Sequence, residues 1–427
     1  MYKRQGGDGF EAIAHHTDPN KLIGGSQGNN FYRSTNGGAS WSYAQYGLEG
    51  ADPFITRLSS PAQDPDVLYA VTNFGVMKSN DFGESWQAKQ VEGNWNSSFW
   101  SGTDVEVSLA NPRYVWAGSS MSFAGNIFLS KDWGETYESV PNFSSLGRTS
   151  GIYSHPTEDS TAYVLFGMPG AAKVLQTRDL GETWEDLSGF TNSNDGKSLN
   201  GFPDVPVYSF LVMPHDKDIM WAGTEVGLIE STDGGASWHL VESNLPYVTI
   251  WDLKLKDEGQ IVIATHGRGV WTATIDDLKS YEPKPAILPP FILSAYQLDS
   301  EDSYVISTNI NTKSSYDSLV IKANNVKRDV FQNVDKSDST NFVFEVDDKG
   351  DYTIQAFGYK DGLEYPSNEY DIILNPTLQP RTEYSTTFSD LVGDEFGLDR
   401  FRIGIQGGFE GRQLHTEHPY ESGVAGG

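Results

Sequence analysis

The 427-residue chain contains no cysteine, which excludes a disulfide framework, thiolate catalysis and thiolate metal sites. Export stays open, because a chain of this length buries enough surface to fold without covalent staples. No run of eighteen apolar residues is present and no signal peptide opens the text, so membrane insertion through a helix is not expected. Positive charge is scarce: 30 Lys and Arg stand against 58 Asp and Glu, a formal charge of −28. Such a field repels phosphate backbones and anionic bilayers, which argues against a nucleic-acid partner. Long amphipathic helical periodicity is missing too. His15 and His16 are neighbours and on a strand would point to opposite faces, so they make no metal site, and no metal or cofactor is expected.

What the chain has instead is aromatic residues, at 13%, glycine, at 44 residues, and one eight-residue phrase written five times. The phrase reads STNGGASW (Ser34 to Trp41), SNDFGESW (Ser79 to Trp86), SKDWGETY (Ser130 to Tyr137), TRDLGETW (Thr177 to Trp184) and STDGGASW (Ser231 to Trp238). Starts separated by 45, 51, 47 and 54 residues mark an array of similar supersecondary units. Around the fifth copy, VYSFLVM, DIMWAGTE, VGLIEST and WHLVES are four short β-prone runs divided by Gly, Asp and Pro. A sixth unit lacks the phrase but keeps IWDLKLKDEG, QIVIATHG and RGVWTATI. The chain is therefore expected to be all-β, with residues 6–277 forming six visible blades of a β-propeller, the sixth short of its outer strand.

In each phrase the acidic or amide residue, Asn36, Asp81, Asp132, Asp179 or Asp233, suits a turn because its side-chain oxygen can accept bonds from backbone N–H groups ahead of it. Glycine supplies positive φ, and the aromatic Trp41, Trp86, Tyr137, Trp184 or Trp238 is expected to fold back and cover its own blade. Asn36 in place of Asp fits hydrogen bonding better than acid–base work. The five turns read as structural fasteners.

The phrase resembles the Asp box, or BNR repeat, of sialidases, sortilin-type receptors and xyloglucanase-type propellers. Together with GGDGFEAIAHHTDP, TDVEVSLANPRYVWAGSSM, VIATHGRGVW and GFEGRQLHTEHPY, it makes the chain similar to large exported Asp-box proteins of marine Bacteroidetes. The resemblance implies boxes on the turn between third and fourth strands, on the face away from the ligand site. It also implies secretion or a cell-surface location, with signal and sorting segments outside this text. Met1 to Gln5 is set apart from the fold, because the sequence that follows starts already inside a blade.

After the propeller, YEPKPAILPP (residues 278–290 with its flanks) reads as an extended linker, since its prolines forbid a continuing ladder. Residues 291–375 carry six or seven short strand-like runs, the pattern of an immunoglobulin- or fibronectin-like β-sandwich. Residues 376–427 read as the start of a third β domain that is cut short.

The face opposite the boxes would gather Asp8, Trp95, Trp100, Asp104, Glu106, Arg148, Trp251, Asp252, His266 and Arg268. Trp95 and Trp100, in the long Gly/Ser/Asn loop EGNWNSSFWSGTD, could stack a sugar ring, with Glu106, Arg148, Trp251, His266 and Arg268 as further ligand contacts. Asp104 and Asp252 sit at comparable points of the third and sixth units and could form an acid/base pair across a channel, as glycoside hydrolysis needs. A sialidase would need three arginines on a carboxylate; Arg57, Arg148 and Arg268 are placed for it, but the R-I-P text that usually carries the first is missing. THGRGVW describes a tight glycine turn holding His266. The reading is an exported propeller that binds a glycan or an extracellular protein, with polysaccharide hydrolysis as the alternative.

Overall fold

In a computed structural model, the described residues are 8–374 except 50–52, 94, 96–97, 123–124, 257–258, 284 and 299–303, with the backbone of 401–404 and 413–416. The chain divides into two compact units, residues 1–286 and 287–427.

Unit 1 is a β-propeller of six antiparallel sheets taken in chain order. Blade 1 comprises Gly9–Ala14, Leu22–Ser26, Asn30–Ser34 and Ser42–Tyr43. Blade 2 comprises Leu58–Ser59, Leu68–Val71, Val76–Ser79 and Gln87–Ala88. In blade 3 (Asp104–Val107, Val115–Ser119, Asn126–Ser130, Thr136–Ser139) a fifth short strand, Gln90–Val91, joins the outer edge in parallel. Blade 4 is Thr149–Ser154, Ala162–Phe166, Val174–Thr177 and Glu185–Asp186, and blade 5 is Val207–Met213, Asp216–Thr224, Gly227–Ser231 and His239–Leu240. Blade 6 has three strands among the described residues, Ile250–Lys256, Gln260–Thr265 and Val270–Thr274, one fewer than the four of blades 1, 2, 4 and 5.

Each blade is an up-and-down meander, so all six first strands start on one face and every turn between third and fourth strands lies on the other. The five phrase turns all occupy that second position. In blade 2, Asp81 Oδ1 accepts Ser79 Oγ–H (2.7 Å) and the Ser85 backbone N–H (2.8 Å), and Ser79 Oγ accepts the Gly83 N–H (2.8 Å). The same set recurs at Asp233 with Ser231, Ser237 and Gly235. Asn36 keeps it, accepting the Ser40 N–H at 2.8 Å, but its amide donates to the Ser40 hydroxyl where an aspartate accepts from it. Hydroxyl and N–H donors pull the Asp233 carboxyl down to about 2.

The turn aromatics differ from the expectation. They cover the preceding blade rather than their own. Trp86 of blade 2 stacks on Phe31 of blade 1 (5.7 Å between centroids) and donates Nε1–H to the Ala44 carbonyl at 2.8 Å. Tyr137 of blade 3 packs with Val67 and Tyr69 of blade 2, Trp184 of blade 4 meets Trp116 of blade 3, and Trp238 of blade 5 donates to the Leu187 carbonyl of blade 4. Trp86, Tyr137 and Trp238 are buried, whereas Trp41 and Trp184 are half-buried. Physically, a two-layered strand leaves each blade two apolar faces, and every blade must bury both against its neighbours. Five such cores result, one at each junction from blades 1 and 2 to blades 5 and 6.

Unit 2 is a seven-stranded sandwich. One sheet is Phe291–Leu298, Tyr304–Thr312 and Ser337–Val346; the other is Tyr316–Ala323, Val326–Val334, Gly350–Lys360 and Leu363–Leu374. Ile306, Ile310 and Phe344 of the first interleave with Leu319, Ile321 and Ile354 of the second in one core. Beyond it a hairpin pairs Phe401–Gly404 with Gln413–Thr416. The rest of the expected third domain, like Met1 to Gln5, lies outside the described residues.

Candidate functional site

Alternation along the first strands points every second residue into the central channel. There the propeller collects charge. Arg57, just ahead of blade 2, lies with Nη1 3.4 Å from Glu11 Oε2 of blade 1 and Nε 3.8 Å from Asp104 Oδ1 of blade 3. Asp252 of blade 6 also acts on the Arg57 charge. Lys254 Nζ is 3.9 Å from Asp252 Oδ2 and feels Glu11 and Glu106 as well. Arg57 and Lys254 keep substantial solvent exposure, 37% and 60% of their side chains, so this is a water-lined channel rather than a sealed core.

Two carboxylates tie blade 3 to blade 4. Asp104 Oδ2 accepts the Ile152 N–H at 2.8 Å and Oδ1 accepts the Val105 N–H at 3.0 Å, while Glu106 Oε1 accepts Ser154 Oγ–H at 2.8 Å and the Ser154 N–H at 3.3 Å. Asp252 repeats the Asp104 arrangement locally, its Oδ1 accepting the Leu253 N–H at 2.9 Å. Burial raises the Asp104 carboxyl against the pull of Arg57 and the Ile152 N–H. For Glu106 burial dominates, Lys254 and Ser154 offset it only in part, and its pKa is pushed up to about 7. Partial desolvation by the channel walls works against the charges of Arg57 and Lys254, yet the surrounding carboxylates more than compensate and hold both cations protonated.

At the channel mouth, where the first strands start, two aromatic groups stand in solvent. Trp251 is 47% exposed, lies 4.4 Å from the Tyr208 ring, and donates Nε1–H to His266 Nδ1 at 3.1 Å. His266 is fixed in turn by its backbone N–H to Thr249 O, in a turn where Gly267 and Gly269 take positive φ. Arg148 is exposed and acts on the Tyr208 hydroxyl. Trp100, 68% exposed, sits against Phe54 and Phe99.

The residues singled out from sequence thus separate. Asp104, Glu106 and Asp252 line the channel; Trp251 and His266 touch each other; Arg148 is at the Tyr208 side; Trp100 has its own aromatic group. Arg268 is exposed in the glycine turn, and its carbonyl accepts Trp271 Nε1–H. Asp8 is exposed and hydrogen-bonds through its N–H to Gln27, and Trp95 is half-buried against Phe128, donating to the Thr72 carbonyl. Arg57 is committed to carboxylates. Sequence reading did not single out Glu11, Lys254 or Tyr208. A signal for Tyr208 existed: it occupies in blade 5 the register position of Trp251 in blade 6, one residue after Val207 and Ile250.

Fold and site together define a β-propeller with an aromatic platform beside a charged channel. No family model matches the chain. It is 27% identical over 194 residues to the oligoxyloglucan-reducing-end-specific xyloglucanase of Emericella nidulans, a match covering 42% of this chain and 23% of that protein. The chain therefore spans about a quarter of that relative's length. Among solved structures it is similar to an ancestral GH74 enzyme (12% identity, TM-score 0.45, 86% of this chain and 62% of the other). It is also similar to YCF48 bound to D1 peptide (13%, 0.44, 79% and 97%). PorZ, a surface component of the type-IX secretion system of Porphyromonas gingivalis, is a third (14%, 0.43, 86% and 59%).

Proposed function

We propose that this is an exported or cell-surface glycan-binding propeller whose ligand stacks on Trp251 and Tyr208 at the channel mouth. The carrying observation is the pair itself: two rings 4.4 Å apart at strand starts, Trp251 47% exposed and held by a hydrogen bond to His266, Tyr208 half-buried beside it. Exposed aromatic faces beside charged groups suit the apolar face and hydroxyl rim of a sugar ring. The xyloglucanase match supports trying xyloglucan oligosaccharides as the ligand class.

Hydrolysis is the second reading, and one observation favours it. Glu106, at about 7, is poised to donate a proton near neutrality, and Asp252 lines the same channel as a candidate base. Asp104 is the weaker acid candidate, because both its oxygens already accept backbone N–H groups. A glycan array and a reducing-sugar assay on the same purified chain separate the readings. Binding without sugar release supports the binding module, and release that Glu106→Gln abolishes supports the enzyme. An absence of binding to any glycan refutes both.

A further inference from the structure

Three neighbouring first strands carry an extra residue at the same place. The ladder skips a residue between Thr149 and Gly151 in blade 4, between Val207 and Ser209 in blade 5 and between Ile250 and Asp252 in blade 6, and the residues skipped are Ser150, Tyr208 and Trp251. A bulge re-aims the side chain it carries, so the two platform rings owe their position to the backbone. Blade 4 locks the middle bulge: Ser150 donates its hydroxyl to the Val207 carbonyl, and Tyr153 donates its own to the Tyr208 carbonyl at 3.0 Å.

The polar groups along this arc are mostly donors. His266 Nδ1 accepts the Trp251 indole N–H at 3.1 Å, so the imidazole carries its proton on Nε2, which has no acceptor among the described residues. Arg268 follows two residues later, between Gly267 and Gly269, where an added Cβ would meet nothing within 4 Å at either glycine. Arg148, also exposed, precedes the blade 4 bulge by two residues and acts on the Tyr208 hydroxyl, as does one carboxylate, Glu225. Elsewhere in unit 1 the described arginines are committed: Arg33 to Glu84, Arg57 to Glu11 and Asp104, Arg113 to the Lys131 carbonyl and the Trp133 ring, and Arg178 to Gln176. Arg148 and Arg268 are the two whose guanidinium has no hydrogen-bond or ion-pair partner among the described residues, and both border the platform.

We infer that the platform selects an acidic glycan, an inference that rests on the glycan reading above: sugar rings stack on Trp251 and Tyr208 while a carboxylate or sulfate ester on the same chain of sugars is held by Arg148, Arg268 and the His266 Nε2–H. Guanidinium and imidazole N–H groups are donors only, so a rim made of them favours a ligand rich in anionic acceptors over one of hydroxyls alone. With Arg57 bound to carboxylates in the channel, the arrangement is an open rim on two blades and not a three-arginine clamp. The net charge of −28 repels anions at long range, but at an ionic strength of about 0.15 M that field is screened beyond about 8 Å, and contacts at the rim decide.

The test is calorimetric titration of the whole chain at that ionic strength with three oligosaccharides of equal length: a neutral xyloglucan fragment, an oligogalacturonate and a sulfated galactan fragment. At least one acidic oligosaccharide should bind about tenfold more tightly than the neutral one, and which of the two does so tells a carboxylate from a sulfate ester. Arg148→Gln and Arg268→Gln should each bring the ratio of acidic to neutral affinity toward one, and Arg148→Lys and Arg268→Lys should keep part of it, with all four variants melting within a few degrees of the parent. Equal or tighter binding of the neutral oligosaccharide, or a preference that survives both glutamine substitutions, overturns the inference and leaves the glycan platform standing. Absence of binding by all three overturns the platform and the inference together.

Discussion

Replacing Trp86 with alanine tests the idea that blades are fastened by the aromatic of the following turn. Trp86 is 3% exposed, stacks on Phe31 at 5.7 Å and donates its indole N–H to the Ala44 carbonyl at 2.8 Å. Both partners belong to blade 1. Truncation removes the largest side chain of the junction between blades 1 and 2 and leaves a carbonyl without its donor, so the loss should be about 3 to 5 kcal/mol. The damage should be directional. Among the described residues blade 1 has a single buried junction, this one, so hydrogen exchange should accelerate most in Leu22–Ser26 and Asn30–Ser34, ahead of the strands of blade 2 itself. The parallel substitution Trp41→Ala removes a half-buried ring that enters no core and should cost less than about 1 kcal/mol. Urea unfolding gives the magnitude and exchange mass spectrometry the location. If Trp86→Ala loosens blade 2 while blade 1 keeps its protection, or if Trp41→Ala costs as much, the fastening argument is wrong.

Two further outcomes follow from the turns and the channel. Asp81→Ala should lose about 1 to 3 kcal/mol by stranding the Ser85 N–H and the Ser79 and Ser85 hydroxyls, whereas Asp81→Asn should lose less, since Asn36 already does the same work in blade 1; thermal melts of both variants check this. Glu106 carries a folded pKa raised from 4.5 to about 7, so the folded protein binds the proton more tightly. Its contribution is complete below pH 4.5 and is lost as pH climbs toward 7, by at most ~3 kcal/mol before allowance for channel water. Melting temperature should thus decline across that window in the parent and decline less in Glu106→Gln; identical pH profiles would contradict the assignment.

How much of this was legible in sequence depended on distance along the chain. The turn chemistry works between residues two and four apart, Ser34, Asn36, Gly38 and Ser40 for instance, so one phrase displays donor, acceptor and positive-φ glycine together. Five repetitions then announced the blades, and the missing phrase after Ile275 announced the short sixth sheet. What Trp86 packs on was not legible, because nothing in SNDFGESW says which of two apolar blade faces lies nearer. Channel charges were partly legible: Asp104 and Asp252 stood out by their matching positions, while Glu11 and Lys254 are single charges on alternating strands and look like solvent-facing residues until the ring brings their strands together. Tyr208 was hidden inside VYSFLVM, an apolar run that reads as core throughout.

The central claim is that ligand binds on the face where the first strands start, on Trp251 and Tyr208. The most direct measurement is calorimetric titration of the purified chain with xyloglucan oligosaccharides, for the parent and for Trp251→Ala. If the platform ring carries a hot-spot share of ~2 kcal/mol, the dissociation constant should rise about 30-fold in Trp251→Ala. The melting temperature should hold, since Trp251 lies outside every buried cluster. Binding of the same strength in the parent and in Trp251→Ala would place the ligand elsewhere and contradict the account.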